Sequence, residues 1–353
     1  MDEISGFGAV PVVHTCPREI GVTMARFAES LDDGDWKRLL KQLGNGDCTP
    51  FLGAGASHPV LPLGGDIAAL WAAEYGYPFP DDRDLPRVAQ FVSTRVRDDQ
   101  VVKEQLIARF FTGVPAPDFG AADSVHGLLA QFPLGTYLTT NYDDLMQRAL
   151  AGRGKAPTTS FSRWYAVSDD ELADERDEAA DRPGLLLPEE LVPAAVRQHE
   201  RVGVTPSDYR PAPDRPLVFH LHGHAERPLS LVLTEDDYLD YLVALVQDHP
   251  AVAPGPVRKR LGAKPLLFVG YSLADWSFRV LYHSIRLAIS RQSRRRHISV
   301  QVDPAVRDAD DPAQVEAARQ YVTRHFDQRD ISLYLGTAQQ FAAELRLRME
   351  DPT

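Results

Sequence analysis

The chain has 353 residues, 44% of them hydrophobic and 25% charged, enough to bury a sizeable core in one large domain or one domain with an elaborated insert. Its 50 acidic residues outnumber 38 basic ones for a formal net charge of -12, which disfavours a nucleic-acid binder, because neutralising phosphates needs concentrated Lys and Arg. No stretch approaches the roughly 18 to 20 apolar residues of a membrane span, and residues 1–5 carry acids where a signal peptide carries bases, so a cytoplasmic protein without a membrane partner is expected.

Trp36, Leu39, Leu40 and Leu43 recur at i, i+3, i+4 and i+7 and predict an amphipathic helix that stops in the Gly44-Asn45-Gly46-Asp47 turn. Residues 49–52 read as a buried strand running into Gly53-Ala54-Gly55-Ala56-Ser57. Helical patterns follow at 67–75, 85–96, 101–111 and 125–132, a mostly helical subregion. A second strand, 135–140, ends in Thr139-Thr140-Asn141-Tyr142-Asp143, and Leu145, Met146, Ala149 and Leu150 give the next helix its apolar face. Between about 152 and 216 the pattern dissolves. Residues 169–181 hold eight acids against the single Arg176, and prolines punctuate the remainder, as in an inserted, partly flexible segment.

Order resumes with a third strand at 217–221, which delivers His220-Leu221-His222-Gly223-His224, and with Thr234-Glu235-Asp236-Asp237, an acidic helix N-cap. A fourth strand, 265–269, runs into Gly270-Tyr271-Ser272-Leu273-Ala274-Asp275, before a helix marked by Phe278, Leu281, Tyr282, Ile285 and Ile289. Arg291, Arg294, Arg295 and Arg296 then suit a solvated helix C-terminus better than the alternative, a local nucleic-acid patch. Two further strands are expected at 297–302 and 330–335, and two helices at 312–326 and 337–349. Strand and helix alternate without hairpin signals, which predicts an α/β fold: a Rossmann-like parallel sheet with helices on both faces. The expected organisation is a helical extension over 1–48 and one domain over 49–349, with a variable insert at about 152–216.

In an open parallel sheet, ligands bind outside the carboxyl ends of the strands, and here four strands each end in polar or glycine-rich residues. Gly53 and Gly55 let backbone N–H groups approach a diphosphate, and Ser57 adds a donor, although a glycine pair can equally serve only to turn the chain. His58 stands where the third glycine of the dinucleotide fingerprint would be, so an ordinary dehydrogenase site is a poor match. Asn141 and Asp143, two apart beyond a strand, can both enter one crevice. Asn141 offers a donor and an acceptor to a ribose hydroxyl or a water, and Asp143 could act as a helix cap alone.

Three histidines at 220, 222 and 224 invite a metal site, since alternate residues on a strand share a face. Gly223 marks the strand's end, however, so His224 is expected to leave the sheet, and no Cys, Asp or Glu stands at a matching spacing. Cys16 and Cys48 are too few for a disulfide framework or a four-cysteine zinc site, and no metal is expected. A histidine at the mouth of the site suits a general base instead.

Gly53-Ala54-Gly55-Ala56-Ser57, Thr140-Asn141-Tyr142-Asp143, Leu221-His222-Gly223 and Gly270-Tyr271-Ser272, in this order, resemble the NAD-site motifs of the sirtuin family. The resemblance implies that Gly53, Gly55 and Ser57 hold the NAD diphosphate, that Asn141 and Asp143 line the nicotinamide and ribose pocket, that His222 is the catalytic base, and that Gly270 and Ser272 contact the adenosine side. Ala54, Thr140 and Asp275 complete the expected cofactor-binding set. Deacylase sirtuins also carry four zinc cysteines, a glutamine before the asparagine, and a Gly-Ile-Pro-Asp-Phe stretch after the first motif. This chain has two cysteines, Thr140 and residues 58–66 in their place. With its Thr-Glu-Asp-Asp-Tyr segment at 234–238 it is more similar to divergent bacterial sirtuin-like domains of antiphage systems. That likeness implies an NAD hydrolase without zinc, forming ADP-ribose and nicotinamide, that assembles with itself and with a partner such as a HerA-type ATPase. A deacylase and a non-catalytic NAD or ADP-ribose sensor are the alternatives.

Overall fold

The computed structural model describes residues 31–165, 184–185, 209–247, 252, 254–271, 296–301 and 312–350. Cys16, the site candidates Ser272 and Asp275, the helix expected around Phe278–Ile289 and the arginines at 291, 294 and 295 lie outside them. Seven strands form one sheet: β1 (Thr49–Leu52), β2 (Thr136–Thr139), β3 (Thr158–Phe161), β4 (Leu217–His220), β5 (Leu266–Tyr271), β6 (His297–Gln301) and β7 (Ile331–Leu335). They lie in the order β3-β4-β2-β1-β5-β6-β7, and every pair is parallel. The chain builds one half of the sheet to one side of β1 and the other half to the opposite side, so a topological switch point falls beside β1, between β2 and β5.

Strand residues alternate between two buried faces, as a parallel sheet covered on both sides requires. Leu52, Leu267 and Val269 face α1 (Asp33–Gly44), α6 (Val125–Leu129), α7 (Leu145–Ala151) and α11 (Ala338–Glu350). Phe51, Phe219 and Phe268 face α9 (Gly255–Ala263) and α10 (Pro312–Asp327). The helix predicted from Trp36 to Leu43 is part of this core. Trp36 stacks on Phe341 at 5.6 Å, and Leu39 and Leu43 are buried beside it.

Helices α3 (Gly64–Tyr75), α4 (Leu85–Val96) and α5 (Asp99–Phe110) form the expected helical subregion, with its own core of Ile67, Trp71, Val88, Val92 and Leu106 against Leu231 and Leu233. Asp84 caps α4 and Asp98 caps α5 by accepting backbone N–H bonds. α8 (Glu235–Val246) starts on a capping box between Thr234 and Asp237, as its acidic N-cap signal predicts. The same Asp237 meets Lys103 of α5 in a buried ion pair (2.8 Å). Among the described residues no helix is long and apolar enough to cross a membrane.

Two elements depart from the sequence pattern. β3 lies within the segment expected to be irregular, and takes the sheet edge because its four residues find β4 in register, Thr158 opposite Leu217 through Phe161 opposite His220. α9 begins at Pro254-Gly255-Pro256, breakers that mask a helix whose Val257 and Leu261 are buried against the sheet.

Candidate active site

The glycine turn after β1 becomes α2 (Ala54–Ser57), a single helical turn. Gly53 donates its own N–H to Val269 O (2.9 Å), the last rung towards β5, so that N–H is not open to a ligand. What demands glycine here is contact with β5. A Cβ on Gly53 would sit 2.8 Å from Gly270 O, and one on Gly55 2.9 Å from Gly270 Cα. Gly270 has φ +81° and a Cβ there would fall 2.2 Å from Ala56 N, so backbone packs on backbone at the switch point.

Asn141 stands at the centre of the polar groups beyond β2. Its side-chain Nδ2 donates to Gly53 O (3.1 Å) and to Ser57 Oγ (2.9 Å). The two N–H bonds commit the nitrogen and fix which way the amide points, leaving Oδ1 as the acceptor it can present. Ser57, itself buried, donates its hydroxyl hydrogen bond to Asp143 Oδ2 (2.8 Å), while Asp143 Oδ1 accepts the Leu145 N–H (3.0 Å) at the start of α7. Asp143 is therefore both a helix-capping side chain and the end of an Asn141–Ser57–Asp143 chain. Thr140 is turned elsewhere: the Tyr271 hydroxyl donates to Leu52 O (2.9 Å), so it accepts from Thr140 Oγ1 (2.9 Å), which closes the turn onto β5.

The histidines separate in a way that strand alternation does not predict. β4 ends at His220, and the turn that follows brings the His224 ring back onto His220, with centroids 4.5 Å apart, while His222 goes to Tyr238 and Tyr241 (5.4 and 5.1 Å). His224 does leave the strand, but His220 and His222 do not share a surroundings. The turn needs Gly223, whose φ is +88° and whose Cβ would overlap Ser230 O at 2.2 Å. Burial pushes His222 down to about 3, and burial with repulsion from His224 does the same to His220, so both rings are neutral near pH 7. His222 Nε2 is buried with no partner among the described residues. Among those residues no three His, Cys, Asp or Glu side chains stand close enough to hold a metal.

A sequence profile for the SIR2-like domain matches residues 135–323, more than half of the chain. The chain belongs to the SIR2-like family. The matched stretch opens just before β2 and leaves out β1 and its glycine turn, which the bonds of Asn141 to Gly53 and Ser57 bring into the same site. Similar proteins include the NAD(+) hydrolase ThsA of Acinetobacter baumannii (strain 532279), 24% identical over 267 residues that cover 74% of this chain and 44% of that protein. The NAD(+) hydrolase ThsA of Bacillus cereus (strain MSX-D12) is 25% identical over 289 residues, 82% of this chain and 49% of that protein. This SIR2-like chain thus spans about half the length of the curated relatives it matches.

Of the residues singled out from sequence, Gly53, Ala54, Gly55, Ser57, Thr140, Asn141, Asp143 and Gly270 converge at the switch point of the SIR2-like sheet. His222 lies beyond the end of neighbouring β4, against α8. Sequence reasoning missed His126 of α6, a buried imidazole close enough to feel the Asp143 charge, and Gln147 of α7, which bonds His220. Neither carries a motif. Each occupies a helix position whose importance comes only from what the fold sets opposite it.

Proposed function

We propose that this SIR2-like chain hydrolyses NAD⁺ at the bond between nicotinamide and ribose. The observation that carries the reading is the committed Asn141 amide. With both N–H bonds spent on Gly53 and Ser57, the side chain offers a fixed acceptor, Oδ1, beside the Asp143 carboxylate at a switch-point crevice. The names of the relatives, NAD(+) hydrolase, support the same substrate.

Breaking the glycosidic bond leaves its electron pair on nicotinamide and positive charge on the ribose, so the site must orient the sugar, face the charge with acceptors and admit water. Asn141 Oδ1 orients the ribose or the incoming water. Asp143, buttressed by Ser57, supports the developing cation or the nicotinamide carboxamide. The N–H groups of α2 after Gly53 anchor the diphosphate, and the strand end at Gly270, with Ser272 and Asp275 beyond it, takes the adenosine side. His222, held neutral, accepts a proton from water or a ribose hydroxyl. One water is consumed, and ADP-ribose, nicotinamide and a proton are released.

In the cell such an activity would deplete NAD⁺, which fits an antiphage effector that is kept weak until it assembles with itself and with a partner, a HerA-type ATPase being the one that family likeness favours. Chromatography of NAD⁺ incubated with the pure chain, alone and with the products of neighbouring genes, tests the reading. Nicotinamide and ADP-ribose released in equal amounts is the expected result. Intact NAD⁺ bound tightly without turnover would replace a hydrolase by a sensor, and turnover only with an acyl-lysine peptide would make it a deacylase.

A further inference from the structure

His220 and Gln147 have no task in the reaction proposed above, yet both are built onto the back of Asn141. His220 is fully buried; its Nδ1 lies 2.8 Å from the Asn141 carbonyl oxygen and its Nε2 2.7 Å from Gln147 Nε2. A carbonyl oxygen only accepts, so Nδ1 carries the ring proton; Nε2 then has only a lone pair, and the Gln147 amide nitrogen donates to it. Each bond fixes the other's direction. The last backbone rung between β4 and β2 runs from Leu221 N to Thr139 O (2.8 Å). Two residues further on, where the chain turns into the site, the His220 ring holds the Asn141 carbonyl instead.

We propose that His220, oriented by Gln147, is a positioning residue: it anchors the Asn141 backbone so that the side-chain amide keeps both of its bonds and presents Oδ1 to the substrate. The catalytic meaning rests on the reaction proposed above, and the positioning rests on geometry alone. A ring that merely filled space could be replaced by an apolar side chain of similar size. An anchor needs a donor at Nδ1. His220→Leu removes that donor, whereas His220→Asn sets an amide N–H near the place of Nδ1.

The sequence has two asparagines, Asn45 and Asn141, and Asn45 is exposed while Asn141 is part-buried, so ¹⁵N-asparagine labelling isolates the Asn141 side-chain amide, and in His220→Asn the added amide is told apart as the signal absent from the full chain. In the full chain and in His220→Asn, the Asn141 amide protons should exchange about tenfold more slowly than those of Asn45, and His220→Leu should erase the difference. NAD⁺ turnover should follow the same order. kcat should fall roughly 10- to 100-fold in His220→Leu with KM within about threefold, and recover most of that loss in His220→Asn. Thermal unfolding establishes that each variant is folded. Should His220→Leu fail to fold, Gln147→Leu keeps the ring but frees its Nε2, and should weaken the protection in the same direction. Slow exchange and full turnover in His220→Leu, or no advantage of Asn over Leu, would overturn the proposal. A wild-type chain that leaves NAD⁺ intact overturns the proposed reaction instead, and amide exchange then decides the positioning by itself.

Discussion

His220 and His222 leave β4 two residues apart, equally buried and equally neutral, and their Nε2 atoms have opposite fates. The one in His220 takes a bond from Gln147, while the one in His222 has no partner among the described residues and sits edge-on between Tyr238 and Tyr241. A buried polar atom left unbonded costs about 1–3 kcal/mol, a cost that a ligand or water bonding there removes. Burial and pKa direction do not separate the two rings. The bond inventory does: it ties His220 to the scaffold and leaves His222 Nε2 without a partner among the described residues, in keeping with the base role proposed for that ring.

The largest effect should come from the unbonded member of this pair. His222→Ala should lower kcat for NAD⁺ hydrolysis by about 10²- to 10⁴-fold, and Asn141→Ala by a comparable factor. Stability of His222→Ala should change by less than about 2 kcal/mol, because the cavity left by the ring is offset by relief of the orphan nitrogen. Nicotinamide release and denaturant unfolding measure the two quantities. Near-wild-type turnover in His222→Ala would erase the contrast. A middle-sized effect should follow Ser57→Ala, which frees one Asn141 N–H and the Asp143 Oδ2 acceptor at once. A loss of about tenfold in kcat and about 1 kcal/mol of stability is expected from the same assays.

The last effect is in pH, where the two rings should behave alike. Both have folded-state pKa values depressed to about 3, so between there and the unfolded value the unfolded chain binds protons that the folded chain refuses. Their stabilising neutrality is complete above roughly pH 6.5 and is lost as pH falls towards 3. Unfolding in denaturant from pH 7 to pH 4 should show wild type losing stability faster than His222→Phe, by up to about 1.4 kcal/mol per pH unit. Parallel curves for the two proteins would mean that His222 is not buried neutral.

Much of this was legible in sequence because it is local. Short apolar runs meeting polar turns locate the strand ends, and the acidic cap at Thr234 announces α8. What was not legible depends on distant partners. Gly53 and Gly55 suggest a phosphate loop when read alone, yet the atoms their missing side chains would strike belong to Gly270 and Tyr271, more than two hundred positions away. β3 lacks a strong strand pattern because an edge strand of four residues is chosen by its neighbour β4. The separation of His222 from His220 follows from a turn that begins as soon as β4 ends, and alternation over 220, 222 and 224 assumes a strand that is no longer there.

The ion pair of Lys103 with Asp237 has a consequence for how this protein can change over generations. Asp237 also accepts the backbone N–H groups of Leu233 and Thr234, and Lys103 lies over the Trp164 ring, so one contact ties α5, α8 and the stretch after β3. Removing either partner alone strands a buried charge, at a penalty of about 3–5 kcal/mol, whereas a matched apolar pair is often tolerated. The route between those two states runs through a deep valley of fitness. Descendants should therefore keep or lose the two positions together, although 134 residues of chain separate them.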